Sequence, residues 1–394
     1  MTAAPIAPLR LLQLTSFVST LDRFAMPPML IAMADDLDAP LTQVVQAAGV
    51  YFLAYGLMQP VWGVVSDRIG LVRTMRITLL LAAIATTASA TAGSPLVLAI
   101  TRGLAGACFS AAIPASLIYL GDTVPAHRRQ RDVTGLMVGV ALGTALAAAG
   151  AGALAQLLSW RVSFLITGVA ALVLVFTLNR LPDPPRTRSH QHPLSPVLAV
   201  ARSGPARLVL LLAFLEGVVL LGVLTLLPPA VEATGSGAAL AGAVTATYGV
   251  AVLIFARVTG VLSRRLPTWQ LIGLGAVAAL AACAVAAVSR VPVVAVLVAV
   301  LLGLAWAAMH SSLQTWATEV LPAARATVVS LFAGALFIGS AVAALIVAGP
   351  AEKGRYGVVF LGSAVVALPL GVLATAGRAR WIRPADGPAD PGQG

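Results

Sequence analysis

The sequence predicts an all-α integral membrane protein whose twelve transmembrane helices form two pseudo-symmetric six-helix bundles, and three observations carry that expectation. The first is an internal duplication. Gly63-Val64-Val65-Ser66-Asp67-Arg68 returns 197 positions later as Gly260-Val261-Leu262-Ser263-Arg264-Arg265. At the same offset Pro95 falls on Pro292, Gly106 on Gly303, Asp122 on Glu319, and Val124-Pro125-Ala126 on Leu321-Pro322-Ala323. Solenoid repeats have periods of about 20 to 50 residues, so a unit this long is instead a whole half of a membrane protein, with a site expected between the halves. The second is composition: 59% of the 394 residues are hydrophobic and only 10% are charged. Too few polar groups exist to cover a water-facing surface, so lipid is the outer solvent. The third is the recurrence of apolar runs of about 20 residues, long enough to cross a hydrocarbon core as helices.

In order, these runs cover 10–33, 43–65, 75–92, 95–121, 132–157 and 162–180, then 207–230, 238–262, 269–289, 292–318, 326–349 and 357–377. Six fall in each half. They must be helices, because the hydrocarbon region offers no water to unpaired backbone groups and the runs are too long for barrel strands. The net charge of +11 is distributed in alternate loops. Arg68, Arg73 and Arg76 follow the second run, His127, Arg128, Arg129 and Arg131 the fourth, and Arg180, Arg186, Arg188, Arg202 and Arg207 border the centre. Arg264 and Arg265 follow the eighth, Arg325 the tenth, and Arg378, Arg380 and Arg383 the twelfth. The intervening loops are short or acidic, with Asp35, Asp36, Asp38, Glu232 and Glu352. The positive-inside rule then puts both termini and the central loop in the cytoplasm of a multi-pass protein of the cell (inner or plasma) membrane. Without aromatic residues interleaved among the basic ones, the charge does not indicate nucleic acid.

The expected organisation is an N-terminal six-helix bundle over 1–181, a cytoplasmic linker over 182–206, a C-terminal six-helix bundle over 207–378 and a disordered cytoplasmic tail over 379–394. The linker concentrates proline and polar residues, and its His190 and His192 lack the cysteine or carboxylate spacing of a metal site. No metal and no cofactor are expected. The apolar run that follows Met1 is of full length and lacks a small-residue cleavage site, so no removable signal peptide is expected. Cys108 and Cys283 each fall inside a run, which excludes a disulfide framework.

Ionisable residues inside the runs are the candidates for chemistry, since a charge at mid-membrane costs about 3 kcal/mol even on the mildest scale. They are Asp22 and Arg23 in the first run, Arg102 in the fourth and Glu216 in the seventh. At 1.5 Å per residue, Asp22 sits roughly 18 Å, Arg102 roughly 20 Å and Glu216 roughly 14 Å from the cytoplasmic edge. Asp22 and Arg102 can therefore pair, and a carboxylate from each half can face a central cavity and exchange a proton. Neighbours in a helix point about 100° apart, so Asp22 and Arg23 face different partners. Arg257 and His310 lie nearer the cytoplasmic ends of their runs, where the arginine can snorkel and the histidine could relay protons. Tyr55, Tyr248, Trp306 and Trp316 are candidates to line a cavity, or else packing residues.

Twelve runs, the six-plus-six duplication, the long centre and the loop Gly63-x-x-x-Asp67-Arg68-x-Gly70-x-x-Arg73 together resemble the major facilitator superfamily of secondary transporters, over essentially the whole chain. The resemblance implies a cytoplasmic gate. Asp67 would face the start of the eleventh helix near Ala324, Asp122 would pair with Arg68 or Arg73, and Glu319 with Arg264 or Arg265. Leu71 and Val72 stand where the family often carries further basic residues. Within the family, Leu21 to Leu37 with its prolines, and Arg102 with Gly106, are similar to the drug:proton antiporter group. In the fifth run the glycine spacing of Gly139, Gly143, Gly150 and Gly152 permits close helix contact. The Gly-Pro element often associated with exporters reads Ala147-Ala148 here, leaving the direction of transport open.

The sequence thus indicates a proton-coupled efflux carrier for small amphipathic organic molecules, working by alternating access as a monomer. The alternative is an uptake symporter or facilitator for a sugar or organic anion, with Arg102 holding the substrate. A receptor or membrane scaffold is the competing class, and charges at matched depth argue against it. The chain has no phosphate-binding loop, His-Glu-x-x-His motif or nucleophile-base set, so neither an ATP-driven pump nor an enzyme is expected.

Overall fold

The computed structural model describes residues 8–184 and 194–381. Every regular element among them is helical. In the N-terminal half, α1 (Pro8–Ala25) is followed by α2 (Leu41–Ile69), α3 (Leu71–Ala90), α4 (Pro95–Thr123), α5 (His127–Leu157) and α6 (Trp160–Arg180). The C-terminal half holds α7 (Gly204–Glu232), α8 (Ala238–Leu262), α9 (Thr268–Val288), α10 (Pro292–Glu319), α11 (Pro322–Glu352) and α12 (Tyr356–Arg380). These last eleven are each long and apolar enough to cross a membrane. The first crossing is interrupted: after Ala25 a 3-10 turn, Pro27–Met29, leads into Leu30–Asp36. Pro27 and Pro28 cannot donate backbone hydrogen bonds to the preceding turn, which ends the regular α-helix there.

The duplication seen in sequence returns as packing. Within the N-terminal half, α1 packs on α5, α2 on α4, and α3 on both α6 and α4. Within the C-terminal half, α7 packs on α11, α8 on α10, and α9 on both α12 and α10. The halves then meet through two equivalent contacts, α2 with α11 and α5 with α8. Small residues make both close: Gly56 lies against the Gly334 carbonyl, and Gly152 against the Ala238 carbonyl and Gly242. A side chain at either glycine would collide with backbone.

A short helix, Leu194–Arg202, occupies part of the linker expected at 182–206, and α7 already begins at Gly204. Arg186, Arg188, His190, His192, Arg383 and the tail from 382 onward lie outside the described residues. The Asp183 side chain accepts a hydrogen bond from the Val72 N–H, 2.7 Å, tying the linker to the α2–α3 turn. This end of the protein is the linker end, and the opposite one the far end. Gly70 makes the α2–α3 turn with φ 102° and ψ 148°, a conformation open essentially to glycine alone.

At the far end the bundles are joined by side chains that cap helices of the opposite half. Glu352, at the end of α11, accepts from the Thr42 N–H in the first turn of α2, 2.7 Å. Gln156, at the end of α5, accepts from the Ala239 N–H in the first turn of α8, 2.9 Å. Neither α2, preceded by Pro40, nor α8, preceded by Gly237, has a side-chain cap of its own. Thr42 and Ala239 are 197 positions apart, the offset of the duplication. Asp36, near the far end of the first crossing, accepts from Arg161 and from the Trp160 indole of α6.

Candidate functional site

Asp22 and Arg102 are both fully buried and meet as expected. The guanidinium forks onto the carboxylate, Nη2 to Oδ2 at 2.7 Å and Nη1 to Oδ1 at 3.1 Å, and Nη2 also donates to the Asp22 carbonyl at 3.3 Å. Thr86 of α3 donates to Oδ1 at 3.1 Å. Tyr51 of α2 and Phe164 of α6 cover the Arg102 guanidinium, with ring centroids at 4.6 and 4.4 Å. Gly106, one turn along α4, lets Tyr51 approach, because a Cβ there would strike the Tyr51 carbonyl. Five helices therefore enclose a bidentate, charge-assisted pair. Sequence reading had not singled out Thr86, Tyr51 or Phe164 as partners, since residues so distant in the chain carry no local signal of meeting.

Arg23 points elsewhere, as its position one residue along requires. Its guanidinium donates to the Tyr55 hydroxyl and to Thr20 Oγ1, each at 3.4 Å. It lies over Phe24, Tyr55 and Phe337, 5.0, 5.3 and 5.3 Å from their centroids. Phe337 belongs to α11 and the other two to the N-terminal half, so Arg23 sits where the bundles meet. Its Nε is buried without a hydrogen-bond partner, and among the described residues no carboxylate stands within 4 Å of the guanidinium. Beside it, Phe24, Pro27, Thr144, Ala148, Leu224, Thr245 and Tyr248 line a narrow crevice between the halves.

The C-terminal half holds its own buried pair. Glu216 Oε2 lies 3.1 Å from His310 Nδ1, joining α7 to α10. Glu216 is fully buried, and its Oε1 has no hydrogen-bond partner. Trp306 stacks on the imidazole with centroids 3.8 Å apart and planes at 18°. Both helices change winding here: Gly217–Leu221 and Trp306–His310 are turns of π-helix, an irregularity that recurs at functional positions. His310 thus belongs with Glu216 in the bundle interior, whereas sequence position alone had put it near the cytoplasmic end. Arg257, expected as a possible companion, is exposed on α8 and forms no ion pair among the described residues.

The expected gate contacts are corrected at three points. Glu319 pairs with Arg378 of α12 at 2.9 Å instead of Arg264 or Arg265, which are exposed. Side chains join the α10 end to α12, where Trp316 and Trp381 flank the Arg378 guanidinium. Asp122 is exposed and makes no ion pair with Arg68 or Arg73 among the described residues. Asp67 is also exposed and does not cap the start of α11; the linker helix packs against Pro322–Ala324. Gly63 has no neighbour that a side chain would meet. The cross-bundle caps Glu352 and Gln156 went unread, although Pro40 and Gly237 before uncapped helix starts were a signal for them. Among the described residues, no group of three or more His, Cys, Asp or Glu side chains could hold a metal ion.

Comparison with known proteins agrees with this architecture. The Major Facilitator Superfamily profile matches residues 12–344. A stretch of 158 residues is 28% identical to the hexuronate transporter of Escherichia coli (strain K12), covering 40% of this chain and 37% of that protein. A stretch of 123 residues is 32% identical to the galacturonate transporter of Dickeya chrysanthemi, covering 31% of this chain and 36% of that one. The match therefore spans little more than a third of the length of these relatives. Among solved structures, a mutant of the nucleoside transporter NupG superposes with a TM-score of 0.79 at 16% identity, over 94% of this chain and 99% of that one. A D-xylose-proton symporter gives 0.76 at 18% identity, over 95% and 97%. With the profile spanning most of the sequence and the twelve-helix, two-bundle fold shared with these transporters, the chain belongs to the Major Facilitator Superfamily.

Proposed function

We propose that the protein is a secondary transporter that takes up a small organic anion of the sugar-acid class, with Arg23 receiving the carboxylate. The observation that carries this reading is the state of Arg23: a cation at the junction of the bundles, framed by aromatic rings, with an unpartnered Nε and, among the described residues, no carboxylate in ion-pair reach. Arginine matches a carboxylate with two parallel donors, and the rings offer faces to the carbon skeleton. The two relatives, a hexuronate transporter and a galacturonate transporter, support the same class. This reassigns to Arg23 the substrate role that sequence reading gave to Arg102, whose donors are taken up by Asp22.

Coupling to protons runs through Asp22. A proton on that carboxylate would release Arg102 and loosen α1 from α4 one residue away from Arg23. Access alternates by rocking the bundles about the α2–α11 and α5–α8 contacts. The linker end, rich in arginine, faces the cytoplasm, and the side chains that each half lends to a helix of the other hold the far end together. Efflux antiport is the second reading, favoured by the apolar, aromatic crevice at Phe24 and Tyr248.

Purified protein in liposomes under an imposed pH gradient separates these readings, with internal pH followed as galacturonate, xylose or a lipophilic cation is added. Protons moving in the same direction as galacturonate, with the movement lost in Arg23→Gln, are expected. Protons moving opposite to the lipophilic cation, with no response to galacturonate, would replace uptake by efflux.

A further inference from the structure

The Glu216–His310 pair combines features that a purely structural contact does not need. A glutamate with one oxygen paired and the other buried without a partner is a costly arrangement to keep. Its partner is the side chain whose charge changes most readily near neutrality. Glu216 borders one π-turn and His310 ends another, where an extra residue per turn leaves the helix able to change register locally. Trp306 and Phe332 cover the imidazole, and the His310 side chain keeps 11% exposure.

The surrounding charges are few. Tyr248 of α8 lies within electrostatic reach of both Glu216 and Arg23, and α11 sets Phe332 against the His310 ring, 5.7 Å between centroids, and Phe337 under the Arg23 guanidinium of α1 at 5.3 Å. Between their ends, α11 and α12 bring no charged side chain: the ionisable groups are Arg325 and Glu352 on α11, and Tyr356, Arg378 and Arg380 on α12. In α9 only Cys283 can ionise. Arg257 of α8 is exposed, Glu319 of α10 is paired with Arg378, and Arg207 and Glu232 lie towards the two ends of α7.

We propose that Glu216 and His310 hold one exchangeable proton between them, as a proton site separate from Asp22–Arg102, and that the charge of this site sets the anion affinity of Arg23. With the proton bound, carboxylate and imidazolium balance and the pair is neutral. Arg23 is then an uncompensated cation ready for an anion. When the proton leaves to water, the pair carries one negative charge, which partly neutralises Arg23. Proton and anion therefore favour each other's binding, and linkage requires the effect to be reciprocal. The coupling to anion affinity rests on Arg23 being the anion receptor; the proton site itself does not.

The test is a pH titration of the imidazole in the full-length protein, with histidine-labelled side chains observed by NMR in lipid nanodiscs and no solute present. Only four histidines occur in the chain, and His310→Gln identifies the signal. The His310 midpoint is expected to fall by about one pH unit or more in Glu216→Gln and to rise in Arg23→Gln, since loss of an anion disfavours the imidazolium and loss of a cation favours it. An imidazole that keeps one protonation state from about pH 4 to pH 9, or a midpoint unmoved by either variant, overturns the proposal. Should Glu216→Gln not fold, the wild-type and Arg23→Gln titrations decide alone. Because no solute is added, this failure is distinct from a failure to transport galacturonate, which would remove the functional reading and leave the proton site standing.

Discussion

The two bundles answer one problem, a carboxylate inside an apolar helix bundle, in different ways. In the N-terminal bundle, Asp22 on α1 is matched by an arginine on α4 with two parallel hydrogen bonds, a third donor from Thr86 and aromatic cover on the guanidinium. In the C-terminal bundle the equivalent helices, α7 and α10, supply Glu216 and a histidine, with one contact of 3.1 Å and one carboxylate oxygen left over. The positions are not equivalent: at the offset of the duplication Asp22 falls on Val219 and Arg102 on Ala299. The helices were kept and the charges placed anew. Arginine stays charged at any physiological pH, so the first pair is fixed unless Asp22 takes a proton. Histidine can lose its charge, so the second can be rewritten by pH.

Removing one partner from each pair should break this contrast open. Arg102→Ala strands a fully buried carboxylate and is expected to cost about 3–5 kcal/mol, read as a collapse of the thermal unfolding temperature in detergent. Glu216→Gln keeps shape and leaves a histidine that can stay neutral, so about 1 kcal/mol is expected from the same measurement. Equal losses at the two sites would mean that the C-terminal pair is as fixed as the N-terminal one.

The far end sharpens the comparison with a smaller effect. There the C-terminal bundle caps α2 with the charged Glu352, and the N-terminal bundle caps α8 with the neutral Gln156. Glu352→Ala should therefore release its contact by about 1–2 kcal/mol and Gln156→Ala by about 0.5–1 kcal/mol, since charge-assisted caps are the stronger. Cysteine labelling at Ala348 and Ala238 should rise more in the first variant. A larger rise in the second would reverse the order of the two latches. Smallest of all, Asp67→Asn should leave the unfolding temperature within about 0.5 kcal/mol of unchanged stability, because Asp67 is exposed. A greater loss would mean that the Gly63–Arg73 loop is already locked, and the two ends would then be closed alike.

How far each feature could be read from the chain follows from the range of the forces involved. Apolar length and the duplicated loop are local or repeated signals, and eleven of the twelve runs return as helices long and apolar enough to cross a membrane; the first, at the N-terminus, is interrupted where Pro27 and Pro28 stand. The meeting of Asp22 with Arg102 was legible because depth along a helix can be counted at 1.5 Å per residue. Rotation was legible only in part: adjacency showed that Asp22 and Arg23 must diverge, but not which of them faces the other bundle. The Glu319 partner differs from the expected one because Arg264 and Arg378 both lie at the linker end, and only the tertiary arrangement brings the Arg378 side chain to the end of α10.

By itself, the sequence determined the solvent, the number of crossings, the twofold plan and the small set of charges that lipid would not tolerate unpaired. These follow from transfer free energies and periodicity, which depend on each segment's own composition. The tertiary structure alone decided which charge meets which, that Arg23 at the bundle junction has no acid beside it among the described residues, that His310 joins Glu216, and that each half caps a helix of the other. Those outcomes depend on helix rotation, on π-turns and on approach distances set by glycines, and an error of one residue in register turns a side chain about 100° away from its partner.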